Sequence, residues 1–446
     1  MLKKVVRYLV ISLLVFLGAV ILFVAFSIAP VDRTPPKEQS FYQDMLGRIT
    51  PQPVSRGGLA VGYAVENLTP DQPTAFAGYV KRRGKKFTSV KDSIYVRAMV
   101  IAQDGKRVAI VSADLLIIPP TVTARLKEIL PGIGFSLDNT YLGATHTHNS
   151  IGHWGRGATG FLYGSYDEAI VTFIADKIRQ CIADAAATVQ PAEISTGAIP
   201  VGQAVYNRLI DNGPVDSLLR LVQITRQDRS KLLLMSYTAH ATCLYSADLS
   251  LSRDYPGKLV DTMESGGYDF AMFLAGSVGS HGCNPPKYGE SCIDWMAEQL
   301  SSAIHNHKGA LTPLRDSAMV MYRVPLALGA AQVKISEDWR IREWLFRAAF
   351  GSDQAFLTAL RLGDLILLGT PCDFSGEFNP VLDSTATAHG WHTMVTSFNG
   401  GYIGYITPVK YYDVDHYETR IMNWYGPGTG EYMLHCQQKM MEAVGH

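Results

Sequence analysis

GATHTHNS, residues 143–150, sits at the end of a predicted strand and carries His146 and His148 at alternating positions. Side chains of an extended backbone alternate between faces, so both imidazoles leave on one side. Two ring nitrogens offered together suit a site where one binds a metal and its neighbour meets a substrate. A histidine pair in a loop can equally be a hydrogen-bonded polar pair, so the surrounding chain has to decide.

Working outward, SIYVRAMVI (93–101) and KRVAIVSADLLII (106–118) read as strands before the histidines. After them, a helix is predicted from Asp167 to Ala187. Ile170, Ile174, Ile178 and Ile182 recur there every fourth residue, with Phe173 and Cys181 alongside. LLRLVQIT (218–225) and KLLLMSYT (231–238) read as strands joined by the polar turn RQDRS. A second helix is predicted from Cys292 to about His305, with Met296, Leu300 and Ile304 on one face. LTALRLGDLILLGT (357–370) reads as a hairpin turning at Gly363-Asp364. No flexible linker divides 59–446, which predicts one large mixed α/β domain.

The chain has 446 residues, 47% hydrophobic, enough for an ample core. Lys+Arg and Asp+Glu are both 40, and that balance argues against a nucleic-acid partner. The N-terminus carries Lys3, Lys4 and Arg7, then an almost wholly apolar run from Leu9 to Ala29. About 20 apolar residues in a helix cross a ~30 Å hydrocarbon layer. The run exceeds a typical signal-peptide core, and Pro30 disfavours cleavage after Ala29, so residues 1–30 read as a retained anchor, with a cleaved signal as the alternative. Basic residues before the span place the body of the chain outside the cytoplasm, on the periplasmic face of the inner membrane if the source is bacterial. VDRTPPKEQS and the residues to 58 read as a spacer, kept extended by Pro35-Pro36, with the folded part beginning near Leu59. Six cysteines contain no CxxC pair, and Cys283 and Cys292 are the expected disulfide in an exported chain.

Further chemistry-bearing residues fall at strand-to-loop junctions. His240 ends LLLMSYTAH, Glu377 lies in TPCDFSGEF past the hairpin, and Tyr402 and Tyr405 lie in GGYIGYIT. Each follows a run that would be buried, so each would project from a strand end, where sites are commonly assembled. Taken singly, a core histidine or a surface carboxylate reads as well.

The order of motifs is more specific than any one of them. THTH at 145–148, His240 followed by SRDYPG (252–257), FLAGSVGSHG (273–282), GES before Cys292, GEF (376–378) and GYIGYITPVKYYDVDHYE…WYGP (401–427) together resemble the catalytic domain of the neutral/alkaline non-lysosomal ceramidases. The likeness spans roughly 59 to 430. It implies central β-sheets with helices packed on the outer faces and a zinc site at one end. It implies one catalytic Zn2+ held by His146, His240, Glu377 and Tyr405. It implies a metal-activated water attacking the amide carbonyl of ceramide or a related sphingolipid, releasing a fatty acid and a sphingoid base. His148, Tyr417 and Arg208 would stabilise the oxyanion or move protons, and Ser277 would line the substrate site. The chain departs from the family pattern after His148 (NSIGHW), in the serine loop and around Arg208. Two other readings therefore stay open: a zinc hydrolase of another N-acyl lipid or lipid ester, and a catalytically silent lipid-binding surface protein. In every reading the partners are a lipid and, through the N-terminal helix, a membrane.

Overall fold

The computed structural model describes residues 2–445 apart from 308, 310 and 352–354. Two sheets carry the architecture. The first has nine strands. Its main path runs from Phe270–Ala275 through Lys231–Tyr237, Leu218–Arg226, Gln190–Pro200, Ala60–Asn67, Tyr95–Gln103 and Lys106–Ala113 to Thr140–Ala144. The second has five strands and contains the hairpin Phe356–Leu362/Leu365–Gly369, with His392–Thr396 parallel to its second arm. Leu362 pairs with Leu365, so the turn falls at Gly363-Asp364 as the sequence predicts.

Both sheets are buried on both faces, and the strand alternation shows why. In YVRAMVIAQ, Met99 and Ile101 enter a core shared with the second sheet's Leu360, Leu365, Leu367 and Met394. Val96, Ala98 and Val100 point the other way, onto the helix Glu168–Ala187. The far half of the first sheet is covered by the helices Asp254–Ser265 and Glu290–Asn306. The outer face of the second sheet is covered by Asn379–Ala388 and Thr429–Gly445. The order is helix, sheet, sheet, helix: mixed α/β, with apolar runs wherever a strand is covered on both sides.

Two local expectations change. Within 31–58, Ser40–Arg48 forms a helix, and its Met45 is fully buried against the second sheet's outer core. The polar, proline-containing run before it hides this docking, because the helix buries only that one residue completely. Cys292 is bonded to Cys243 and not to Cys283. The Cα atoms of the bonded pair are 5.3 Å apart, within the usual range, while the Cys283 sulfur lies 3.8 Å from that of Cys292 and stays free. Neighbours in sequence are not the nearest in space here. The His240 loop brings Cys243 onto the helix that carries Cys292.

The N-terminal helix Leu2–Ser27 is long and apolar enough to cross a membrane, and its side chains lie almost entirely outside the fold. It runs straight into the strand Ile28–Pro30, which pairs with Trp339–Ile341.

Candidate metal centre

Three parallel strand pairs end near the site. His146 follows Thr140–Ala144, His240 follows Lys231–Tyr237, and the short strand Asp373–Phe374 follows Leu365–Gly369. Asp373–Phe374 pairs in parallel with Tyr405–Ile406, so Asp373 and Tyr405 are direct cross-strand partners. Open α/β sheets build their sites at such strand ends.

Here the side chains converge. His146 Nε2 lies 2.8 Å from His240 Nε2, and His148 Nε2 lies 3.2 Å from His146 Nε2. The Tyr405 hydroxyl is 3.4 Å from His240 Nε2. Asp373 Oδ1 is 3.5 Å from His146 Nε2 and 3.9 Å from His240 Nε2. His146, His240, Asp373 and Tyr405 are buried, and His148 is half-buried. His146 adopts φ of 63°, a left-handed conformation unusual for a residue with a Cβ, and stacks on Phe398 at 4.0 Å between ring centres. Two glycines permit the close approach. A Cβ on Gly78 would meet the His148 carbonyl oxygen at 2.5 Å, and one on Gly279 would meet the Asp373 carbonyl oxygen at 2.2 Å.

The protonation states are set by burial. It lowers the His146 imidazole to about 3 and the His148 and His240 rings well below their usual value, with the Arg208 charge acting in the same sense. All three rings are therefore neutral at pH 7. His146 Nδ1–H donates to the Leu116 carbonyl at 2.6 Å, which leaves its Nε2 a bare lone pair facing the cluster. Burial pushes Asp373 up to about 7, and the hydrogen bond from the Tyr402 hydroxyl to Oδ2, at 2.6 Å, works against that rise. Asp373 Oδ1 has no hydrogen-bond partner among the described residues.

An orphaned carboxylate oxygen, neutral imidazoles and a phenol aimed at one spot form a donor set that fits a divalent metal. Ligand atoms ~2.1 Å from a tetrahedral centre lie ~3.4 Å apart, and the separations above bracket that value. His146, His148 and His240 form a three-histidine group of this kind.

The remaining sequence-predicted residues divide. Arg208 lies beside the cluster, with Nη1 3.1 Å from His240 Nδ1 and Nη2 paired to Glu418 at 2.5 Å. Tyr417 is 45% exposed at the rim, with its ring 6.0 Å from that of Tyr405. Glu377 is turned elsewhere. It accepts from Asn207 at 2.9 Å and Tyr411 at 3.0 Å and pairs with Lys410 at 3.1 Å. The carboxylate facing the imidazoles is Asp373, four residues earlier. Ser277 is also elsewhere: it is fully buried and donates to Asn379 Oδ1 at 2.8 Å. Asp373 was available to sequence reasoning, because it lies closer than Glu377 to the end of the hairpin strand. Tyr402, which orients Asp373, carried only its place in the tyrosine motif.

Residues 60–266 match the family model described as neutral/alkaline non-lysosomal ceramidase, N-terminal. The chain is similar to the crystal structure of neutral ceramidase from Pseudomonas aeruginosa, with a TM-score of 0.75 and 18% identity over 87% of this chain and 75% of that one. It is similar also to a ceramidase complexed with C2, with a TM-score of 0.76 and 17% identity over the same shares. At such identities the likeness to these structures is one of fold. A search of the curated proteins finds no match. The stretch matched by the neutral/alkaline non-lysosomal ceramidase N-terminal model holds His146, His148, Arg208 and His240.

Proposed function

We propose that the chain is a membrane-anchored, zinc-dependent hydrolase that cleaves the N-acyl amide bond of ceramide or a related sphingolipid. The observation that carries the reading is the convergence of His146, His240, Asp373 and Tyr405 around the orphaned Asp373 Oδ1. These four residues would hold the metal, with Asp373 in the place that the sequence assigned to Glu377. Residues 59–446 would form the catalytic body. When bound, zinc supplies a Lewis acid and lowers the pKa of a neighbouring water to ~7.

The chain's own residues supply the rest. His148 enters the reaction neutral, so it can take a proton from the attacking water and return it to the leaving amine. It is the half-buried member of the histidine group, as a substrate-facing residue must be. Tyr417 stands at the rim as a hydroxyl donor for the oxyanion. Arg208, held by Glu418, brings positive charge against the cluster. The anchor reading is supported by the fold's use of the helix end. Ser27 and Ala29 are buried, and Ile28–Pro30 is a paired strand, so removal of this segment would unpick part of the body.

The test is hydrolysis of a labelled ceramide by the full chain in detergent, as prepared, after chelation, and after zinc is restored. Turnover should vanish with the chelator and return with zinc. Turnover indifferent to chelation would overturn the metal assignment. Stoichiometric zinc without ceramide turnover would move the substrate to another N-acyl lipid.

A further inference from the structure

The segment WRIREWLFR, residues 339–347, places two tryptophans and three arginines within nine residues, and the site does not use them. It is where the body is tied to the N-terminal helix. Trp339–Ile341 pairs with Ile28–Pro30. The Arg342 amide donates to the Ser27 carbonyl at 2.8 Å, and its side chain donates to the Ile28 carbonyl at 3.0 Å. Trp344 Nε1 donates to the Phe26 carbonyl at 2.7 Å, and its ring meets Phe23 edge-on at 6.1 Å. The apolar helix therefore does not hang from a loose tether. Its last turn is built into this segment.

That attachment fixes what lies beside the helix where it leaves the apolar layer. Trp339 is 50% exposed, Trp344 47% and Ile335 43%, while Phe346 on the same helical segment turns inward to a small core. Half-exposed tryptophans with arginines alongside match the chemistry of the headgroup region, where indole rings and guanidinium groups both find partners. Behind this face lies a cavity of about 270 Å³, walled by Phe346, Phe350 and Trp424, with Glu343 and Arg347 charged and Tyr402 among its lining residues. Tyr402 is the residue that donates to Asp373.

We infer that the face carrying Trp339 and Trp344 rests on the lipid headgroups, so that the cavity behind it lies at the bilayer surface and a membrane lipid reaches the Tyr402–Asp373 side of the centre from there. The inference rests on the anchored reading of the N-terminal helix and goes beyond it: the helix sets the orientation of the body as well as its location. The occupant of the face is a lipid surface.

The experiment uses the full chain reconstituted in phosphatidylcholine vesicles, with alkaline extraction as the control for anchoring. Lipids brominated near the headgroup should quench tryptophan fluorescence, and the double variant Trp339→Phe/Trp344→Phe should lose at least half of that quenching. Trp339→Ser/Trp344→Ser should slow hydrolysis of bilayer-embedded ceramide several-fold and leave turnover of a short-chain ceramide in detergent unchanged. Extraction of the chain by alkali would overturn the anchor and this inference with it. Retention in the membrane with equal quenching in wild type and the double phenylalanine variant would overturn this inference alone.

Discussion

Two buried polar clusters lie on either side of the Ser277–His281 loop, and they are built on opposite terms. In the first, Asp216 Oδ2 accepts from Arg220 and Asn379, both at 2.6 Å, and Arg220 reaches Asp383 at 2.6 Å. Ser277 closes the set on Asn379 at 2.8 Å, and the Asp216 amide donates to His281 Nε2 at 2.8 Å. The Arg220 guanidinium is shared by two carboxylates and these groups are partnered, as buried polar groups generally are. In the second, three neutral imidazoles crowd together, and Asp373 Oδ1 faces them without a hydrogen-bond partner among the described residues. A cluster that only supports the fold satisfies itself. A cluster left short of one positive charge at its middle is arranged for something that arrives from outside. Both clusters lie in the interior, so the accounting of hydrogen bonds is what tells them apart.

The sharpest way to break this contrast is to change the two carboxylates that compete for the metal. Asp373→Asn keeps the volume and the acceptor for Tyr402 while removing the charge. It should lower metal occupancy and ceramide turnover by more than the ~10–100-fold that loss of an outer-shell partner typically costs. Glu377→Gln, which alters only contacts to Asn207, Tyr411 and Lys410, should stay within about 10-fold. Metal analysis and turnover on both variants check the pair. The reverse ranking would return the ligand role to Glu377.

The placement of Glu377 away from the imidazoles has a physical origin. TPCDFSGEF offers two carboxylates four residues apart. The letters GEF match the family motif, but the geometry is set by the parallel pairing of Asp373 with Tyr405. That pairing joins segments distant in sequence and leaves no local trace. The same holds for Cys243, 49 residues from its partner Cys292. By contrast, the period of the helix Glu168–Ala187 and the Gly363-Asp364 turn are local properties, and they were legible. The positions of His146 and His240 at strand ends were legible because each closely follows a buried strand.

The self-satisfied cluster should respond in the opposite currency, stability without loss of metal. Asp216→Ala strips one partner from a buried guanidinium and one acceptor from Asn379, while Asp383 still holds Arg220. Breaking a buried pair costs ~3–5 kcal/mol, and the remaining partner should hold the loss to the lower end. Chemical denaturation in detergent reads that shift. Metal content at saturating zinc should not change. A loss of metal equal to that in Asp373→Asn would show that the two clusters are one unit.

Ser277→Ala is the smallest test and separates a lining residue from a scaffold residue. Its hydroxyl is fully buried and donates to Asn379, whose amide nitrogen is itself held by Asp216. Losing one neutral hydrogen bond of this kind costs ~1 kcal/mol of stability. A side chain that touches no substrate should leave KM alone and move kcat by no more than about twofold, since each 1.4 kcal/mol would be tenfold. The resemblance to the ceramidases implied that Ser277 meets the substrate, and that role requires KM to rise with stability untouched. The two outcomes fall on different axes of measurement, so one variant decides whether the loop after Phe270–Ala275 reaches into the site or only holds its wall.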